Sequence, residues 1–286
     1  MKAVHPPLLS RLRGLGGNME KKALIVDNDF FFVEFLGEIL EERGYTVLKA
    51  YDGKEGISKL GEGDFAVIFV DLVMPKIDGL QLIRYIRKKF PEASFPIVVV
   101  AGTVIERLPE LKKLGADFYI AKGALEKMSA QIIEFMEQLE QEGLAAPVEE
   151  EVLQPGELYP RQATIELMDN IEFHRSVVND LAIGVVVVDK DARIILANPA
   201  ALRILKRPFE GILNEHLMKI FPASTKDELV AGLKRVIKEK ELQRVVLFPT
   251  IGSERLRIQI SRFVLRNRSA GWILAFEHAD QWNEGS

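Results

Sequence analysis

The chain has no cysteine among its 286 residues. Disulfides, thiolate metal sites and cysteinyl–flavin adducts are therefore excluded. No apolar run approaches the ~18–20 residues of a membrane-crossing helix, so no membrane association is expected. No segment forms a dense basic stripe, and the formal net charge is −4, which disfavours a nucleic-acid partner. Residues 1–20 lack the apolar core and the small-residue cleavage site of a secretory signal. They read as a disordered leader, with Met19 as an alternative start, and a cytoplasmic location is expected.

What is present is an ordinary globular composition, 48% hydrophobic and 28% charged, long enough for about two domains. From Lys21 to about residue 141, strand and helix patterns alternate five times. The expected strands are Ala23–Val26, Thr46–Ala50, Phe65–Val70, Ile97–Val100 and Phe118–Ala121. The expected helices are Phe31–Arg43, Lys54–Leu60, Leu80–Lys89, Glu106–Leu114 and Leu125–Gln141, the fourth kept short or irregular by Pro109. Alternation of this kind specifies an α/β fold, a doubly wound parallel sheet.

The ends of the strands carry the chemistry. The continuous apolar run Ala66–Val70 has the character of a strand buried on both faces, and it stops at Asp71. Leu24–Val26 stops at Asp27-Asn28-Asp29, and Tyr119–Ala121 stops at Lys122. Open α/β sheets place their ligands at the carboxyl ends of strands. Carboxylates and one ammonium at adjoining strand ends describe a small pocket for Mg²⁺ and a phosphoryl group.

Residues 142–160 hold three prolines, two glycines and the acidic run Glu149–Glu151, the composition of a linker. Over 161–182, Thr164, Leu167, Ile171, His174, Val178 and Leu181 recur by threes and fours. They form a coiled-coil seam of barely three heptads, or the apolar face of a connecting helix folded onto the next domain. Residues 183–279 are mostly strand-like, ending in Arg244–Phe248, Arg255–Phe263 and Gly271–Glu277, an α+β design cupping one sheet. Residues 280–286 are a tail.

The first domain, 21–141, resembles from about Lys21 to Gln138 the receiver domain of two-component response regulators, on the residues ALIVDND, VDLVMPKIDG and the isolated Lys122. The resemblance implies a five-stranded, flavodoxin-like sheet. Asp71 then matches the phosphoacceptor, Asp27 and Asn28 the metal-binding acidic pair, and the Val73 carbonyl a backbone metal ligand. Lys122 matches the lysine bridging acceptor and phosphoryl group, and Tyr119 the switch aromatic. The second domain resembles a PAS domain, through GVVVVDKDARIILANPAALRIL, with Asn198 closing its second strand.

Three departures from the receiver pattern stand out. Asn28 replaces the second acid, so Mg²⁺ binding is expected to be weakened. Asp29 is too close in the chain to replace it. Ala101 replaces the hydroxyl residue that normally bonds the phosphoryl group and couples it to Tyr119; Thr103 substitutes only if the loop bends inward. Gly123 replaces the proline after the lysine.

Two readings follow. In one, a histidine kinase or phosphotransfer protein phosphorylates Asp71, and the output is contact with a downstream protein. In the other, a degenerate receiver acts as a PAS-dimerised scaffold. A homodimer is expected in both, and neither is an enzyme. A haloacid-dehalogenase chemistry would need a second Asp where Val73 stands. No DNA-binding module is expected after the PAS pattern, and no glycine-rich ATP motif of a kinase is visible. The sequence names no PAS ligand: His174, His216 and His278 are poor haem ligands. Arg255 and Arg257 read as a solvated strand face, with Arg262 on the opposite one.

Overall fold

A computed structural model describes residues 21–91, 95–101, 115–142, 173–239, 244–265 and 268–279. The expected helix Glu106–Leu114, Thr103, the linker, the first part of the seam, the leader and the tail lie outside the described residues. The chain divides into two compact units between Met168 and Asp169.

The first unit consists of β1 (Lys21–Val26), α1 (Phe30–Glu42), β2 (Tyr45–Ala50), α2 (Gly53–Lys59), β3 (Val67–Val70), α3 (Gly79–Lys89), β4 (Ile97–Ala101), β5 (Phe118–Ala121) and α4 (Leu125–Glu142). All five strands are parallel, in the order β2-β1-β3-β4-β5. β3 and β4 are buried at every position, as continuous Val/Ile runs between two helical layers must be. On one face the apolar side of α1 (Phe32, Val33, Leu36, Leu40) and that of α4 (Met128, Ile132, Phe135, Met136) share a core with Ile25, Phe69 and Val98. Burying a side chain of this size contributes roughly 1.5–3 kcal/mol. β3 begins at Val67, two residues later than its pattern suggested.

The strand order reverses between β1 and β3, which opens a crevice at their carboxyl ends. Helix starts around it are fixed by short side chains. Asp29 caps α1, accepting from the amides of Phe31 and Phe32. Asp78 and Gln81 form a reciprocal capping box on α3. Gly79 follows because a Cβ there would lie 2.1 Å from the Asp71 carbonyl oxygen.

In the second unit a helix over 173–180, α5, precedes β6 (Gly184–Asp189), β7 (Ile194–Ala197), α6 (Pro199–Leu205), α7 (Leu217–Ile220), α8 (Ala223–Lys238), β8 (Arg244–Leu247), β9 (Thr250–Ile251), β10 (Glu254–Leu265) and β11 (Arg268–His278). The sheet is antiparallel, ordered β7-β6-β11-β10-β8, with β9 paired to β10. Gly271 has φ 151°, and a Cβ there would meet the Val188 carbonyl oxygen at 1.9 Å, so only glycine fits.

Asn198, fully buried, ties this unit together. Its Oδ1 accepts from Val185 N (2.8 Å) and Ala201 N (2.9 Å), while Nδ2 donates to Val178 O (3.0 Å) and Ile183 O (2.9 Å). The residue that closes the second strand thus also anchors the end of α5. His216 is an N-cap of α7, its Nδ1 accepting from Met218 N, while Leu217 and Ile220 enter the core. Arg257 pairs with Glu277 across β10 and β11, and Arg255 lies over the Phe248 ring. Trp272 packs against the core and donates to the Leu233 carbonyl. On α5 the exposed apolar positions are Phe173 and Val177, followed by Leu181 just beyond it. Of the seam residues within the described range, His174 and Leu181 are exposed and Val178 is half-buried.

Candidate functional site

Strand geometry alone brings three charged groups to the crevice. The ladder bonds Asp27 N to Ala50 O (3.0 Å) and Asp71 N to Val26 O (2.9 Å) carry each strand one residue past its apolar run. Lys122 N likewise donates to Ala101 O (2.9 Å) at the end of β5. Each charged residue is therefore the first one beyond a buried strand, where the sheet opens.

The side chains converge. Lys122 Nζ lies 2.5 Å from Asp27 Oδ2 and 3.4 Å from Asp71 Oδ1. Asp27 is 1% exposed and Asp71 7%. Asp27 Oδ1 accepts from Asp29 N at 2.9 Å, and Asp71 Oδ2 accepts from Val73 N at 3.2 Å. Burial pushes the Asp71 carboxyl up to about 6; the Lys122 charge opposes this and the Asp27 charge adds to it. Burial also raises Asp27, against its bond to Lys122. Two acids above their ordinary range, sharing one ammonium, make a site short of positive charge.

The remaining expected residues are placed as follows. Asn28 is exposed beside Asp27. The Asp29 side chain caps α1, while its amide donates to Asp27 Oδ1. Val73 follows Asp71 in the loop leading to α3 and is exposed. Ala101 is buried and offers only its backbone. Its carbonyl accepts from both Lys122 N and the Tyr119 hydroxyl, the latter at 3.1 Å. Tyr119 is half-buried, and desolvation with the Asp71 charge pushes its phenol up to about 12. The loop after β3 is held by Lys76, in a left-handed conformation (φ 67°), which pairs with Asp52 at 2.5 Å.

A divalent cation suits this donor set. Asp27 Oδ2 is buried and carries its charge against the Lys122 ammonium, 2.5 Å away. Such an anionic oxygen, beside a second carboxylate, is what a hard oxygen-seeking ion requires. Among the described residues no group of three or more His, Cys, Asp or Glu converges.

Phe32 is a further member of the site. Lys122 Nζ lies 4.7 Å from the centroid of its ring. The helical period puts Phe32 on the apolar face of α1 with Leu36 and Leu40, but it does not bring Lys122 to that ring.

Residues 23–134 match the family model of the response regulator receiver domain, and residues 178–279 match that of the PAS fold. An uncharacterized transcriptional regulatory protein of Bacillus subtilis (strain 168), YcbL, is 29% identical over 102 residues, 35% of this chain. The chain spans 43% of that relative's length. Two solved structures are similar to the first unit. Chemotaxis response regulator CheY4 of Vibrio cholerae is 25% identical, over 41% of this chain and 98% of that one, at TM-score 0.37. A CheY-like receiver domain protein from Methanospirillum hungatei JF-1 is 29% identical, over 43% and 99%, also at TM-score 0.37. Among the described residues no helix is long and apolar enough to cross a membrane.

Proposed function

We propose, for a chain that joins a response regulator receiver domain to a PAS fold, that Asp71 accepts a phosphoryl group from a phosphohistidine on a partner kinase or phosphotransfer protein. The observation that carries this reading is the convergence of Asp27, Asp71 and Lys122 within ion-pair distance at the sheet's switch point. In the transfer, an Asp71 carboxylate oxygen forms a bond to phosphorus. The bond from phosphorus to the donor's imidazole nitrogen breaks, and that nitrogen takes up a proton. Lys122 supplies a point charge to the transferring oxygens, and burial keeps bulk water from screening it. Mg²⁺, when bound, neutralises charge on those oxygens. Asp27, Asp71, the Asn28 amide and the Val73 carbonyl are the residues that would hold it. Asn28 contributes an oxygen without charge, so binding is weaker than with two acids.

The phosphorylated residue is a covalent mark rather than a step in turnover, so the chain acts as a signalling protein and not as an enzyme. It works in the cytoplasm, and its output is a contact with a downstream protein. The PAS unit serves sensing or dimerisation, with Phe173, Val177 and Leu181 as the apolar stripe available to a second copy.

The test is incubation with acetyl phosphate and Mg²⁺ followed by intact-mass measurement. One added phosphate is expected in the native protein and none in Asp71→Ala. A second reading is favoured by Asn28 and Ala101: the receiver is degenerate and the protein is a dimeric scaffold. Absence of the adduct with both small donors and kinases supports that alternative.

A further inference from the structure

We infer that Phe32 is a positioning residue, its ring face seating the Lys122 ammonium between Asp27 and Asp71. The inference rests on the phosphoryl-acceptor reading for its kinetic consequence, but not for the contact itself. Lysine is a point charge on a flexible four-carbon stem, so its position must be imposed from outside. Here the loop after Lys122 has Gly123 in place of a stiffer residue, and Ala101 offers no side-chain hydroxyl. The backbone is pinned at Lys122 N. The side chain is held by Asp27 Oδ2 at 2.5 Å, Asp71 Oδ1 at 3.4 Å and the Phe32 ring centroid at 4.7 Å.

Phe32 is well placed for this. Asp29 accepts from the amides of Phe31 and Phe32, which sets the phase of α1. Phe30 and Phe31 are then 56% and 83% exposed, whereas Phe32 is 6% exposed and packs near Phe35. A ring that is itself buried cannot swing away, and the Lys122 side chain against it is 22% exposed, between the open-surface and desolvated cases of cation–π contacts. The ring attracts the cation without offering an oxygen. It holds Lys122 in place and does not compete for Mg²⁺ or phosphate. The ring contact does not depend on either carboxylate, so it would still seat Lys122 toward the phosphoryl oxygens if Asp27 and Asp71 held a cation.

The experiment has two arms on the full chain. In the first, the ε-methylene resonance of Lys122 is read by NMR in unphosphorylated protein and assigned by its loss in Lys122→Arg. Ring current should shift it upfield in the native protein and in Phe32→Tyr, and Phe32→Leu should return it to the ordinary position. In the second arm, phosphorylation by acetyl phosphate should slow about tenfold in Phe32→Leu, equivalent to about 1.4 kcal/mol. Phe32→Tyr should stay within about twofold. Adding Phe32→Leu to Lys122→Ala should cost nothing more, because the ring acts through the lysine. An unshifted Lys122 resonance in the native protein overturns the inference, as does full multiplication of the two losses. If the native protein takes up no phosphate, the acceptor reading fails while the resonance still decides the seat. If Phe32→Leu does not fold, the native and Phe32→Tyr spectra decide it.

Discussion

Replacing Asp71 by Asn should stabilise the metal-free protein near pH 7.5. The carboxyl is 7% exposed and its folded value is raised from 3.8 to about 6, chiefly by burial. A shift of about two units corresponds to ~3 kcal/mol by which the ionised form disfavours folding. Asparagine removes that charge and keeps an oxygen for the Val73 amide. Lys122 retains Asp27 at 2.5 Å, so no ammonium is left buried and unpaired. The sign with pH follows from proton uptake. Between 3.8 and about 6 the folded state binds more protons than the unfolded one, so native stability falls as pH rises through that window. The advantage of Asp71→Asn should therefore be ~3 kcal/mol above pH 7, shrink from pH 6 to 4, and vanish below. For a unit of this size that is a shift in Tm on the order of 10 °C. Thermal unfolding by circular dichroism reads it. Both tryptophans, Trp272 and Trp282, lie beyond Asp169, so fluorescence follows the second unit separately. Mg²⁺ at about ten times its Kd should return ~1.4 kcal/mol to the native protein and nothing to the variant. Equal or lower stability of Asp71→Asn at pH 7.5, or a difference that does not change with pH, would refute this account of the site.

Other perturbations test separate parts. Asn28→Asp adds a charge beside Asp27 and should tighten Mg²⁺ binding by about tenfold, measured by calorimetry. Ala101→Ser restores a hydroxyl worth ~1.5–3 kcal/mol to a charged partner and should raise beryllofluoride affinity at least about tenfold. Asn198→Ala removes four hydrogen bonds of a buried side chain and should destabilise the second unit by at least ~3 kcal/mol, read by tryptophan fluorescence in urea. Phe173→Glu with Val177→Glu should leave that unit folded but render the protein monomeric in sedimentation at tens of micromolar; a native protein that is already monomeric removes the dimer proposal.

The sequence by itself determined the parallel sheet and the members of its acidic site. A strand buried on both faces must be continuously apolar, so its first charged residue marks the point where burial ends; Asp27, Asp71 and Lys122 stand at such points. The antiparallel second sheet was legible for a similar reason, since its strands are punctuated by turns. Local patterning could not supply distances or contacts between elements. That Lys122 lies closer to Asp27 than to Asp71, that Ala101 receives the Tyr119 hydroxyl through its carbonyl, and that the Phe32 ring lies against the Lys122 ammonium all depend on elements remote in the chain. The same holds for α5. Heptad spacing pointed to His174 and Val178, whereas α5, bound to Asn198 through the Val178 carbonyl, leaves Val178 half-buried and Phe173 and Val177 exposed beside His174. A period places residues on a common face, but the neighbour that covers one face decides which of them water meets.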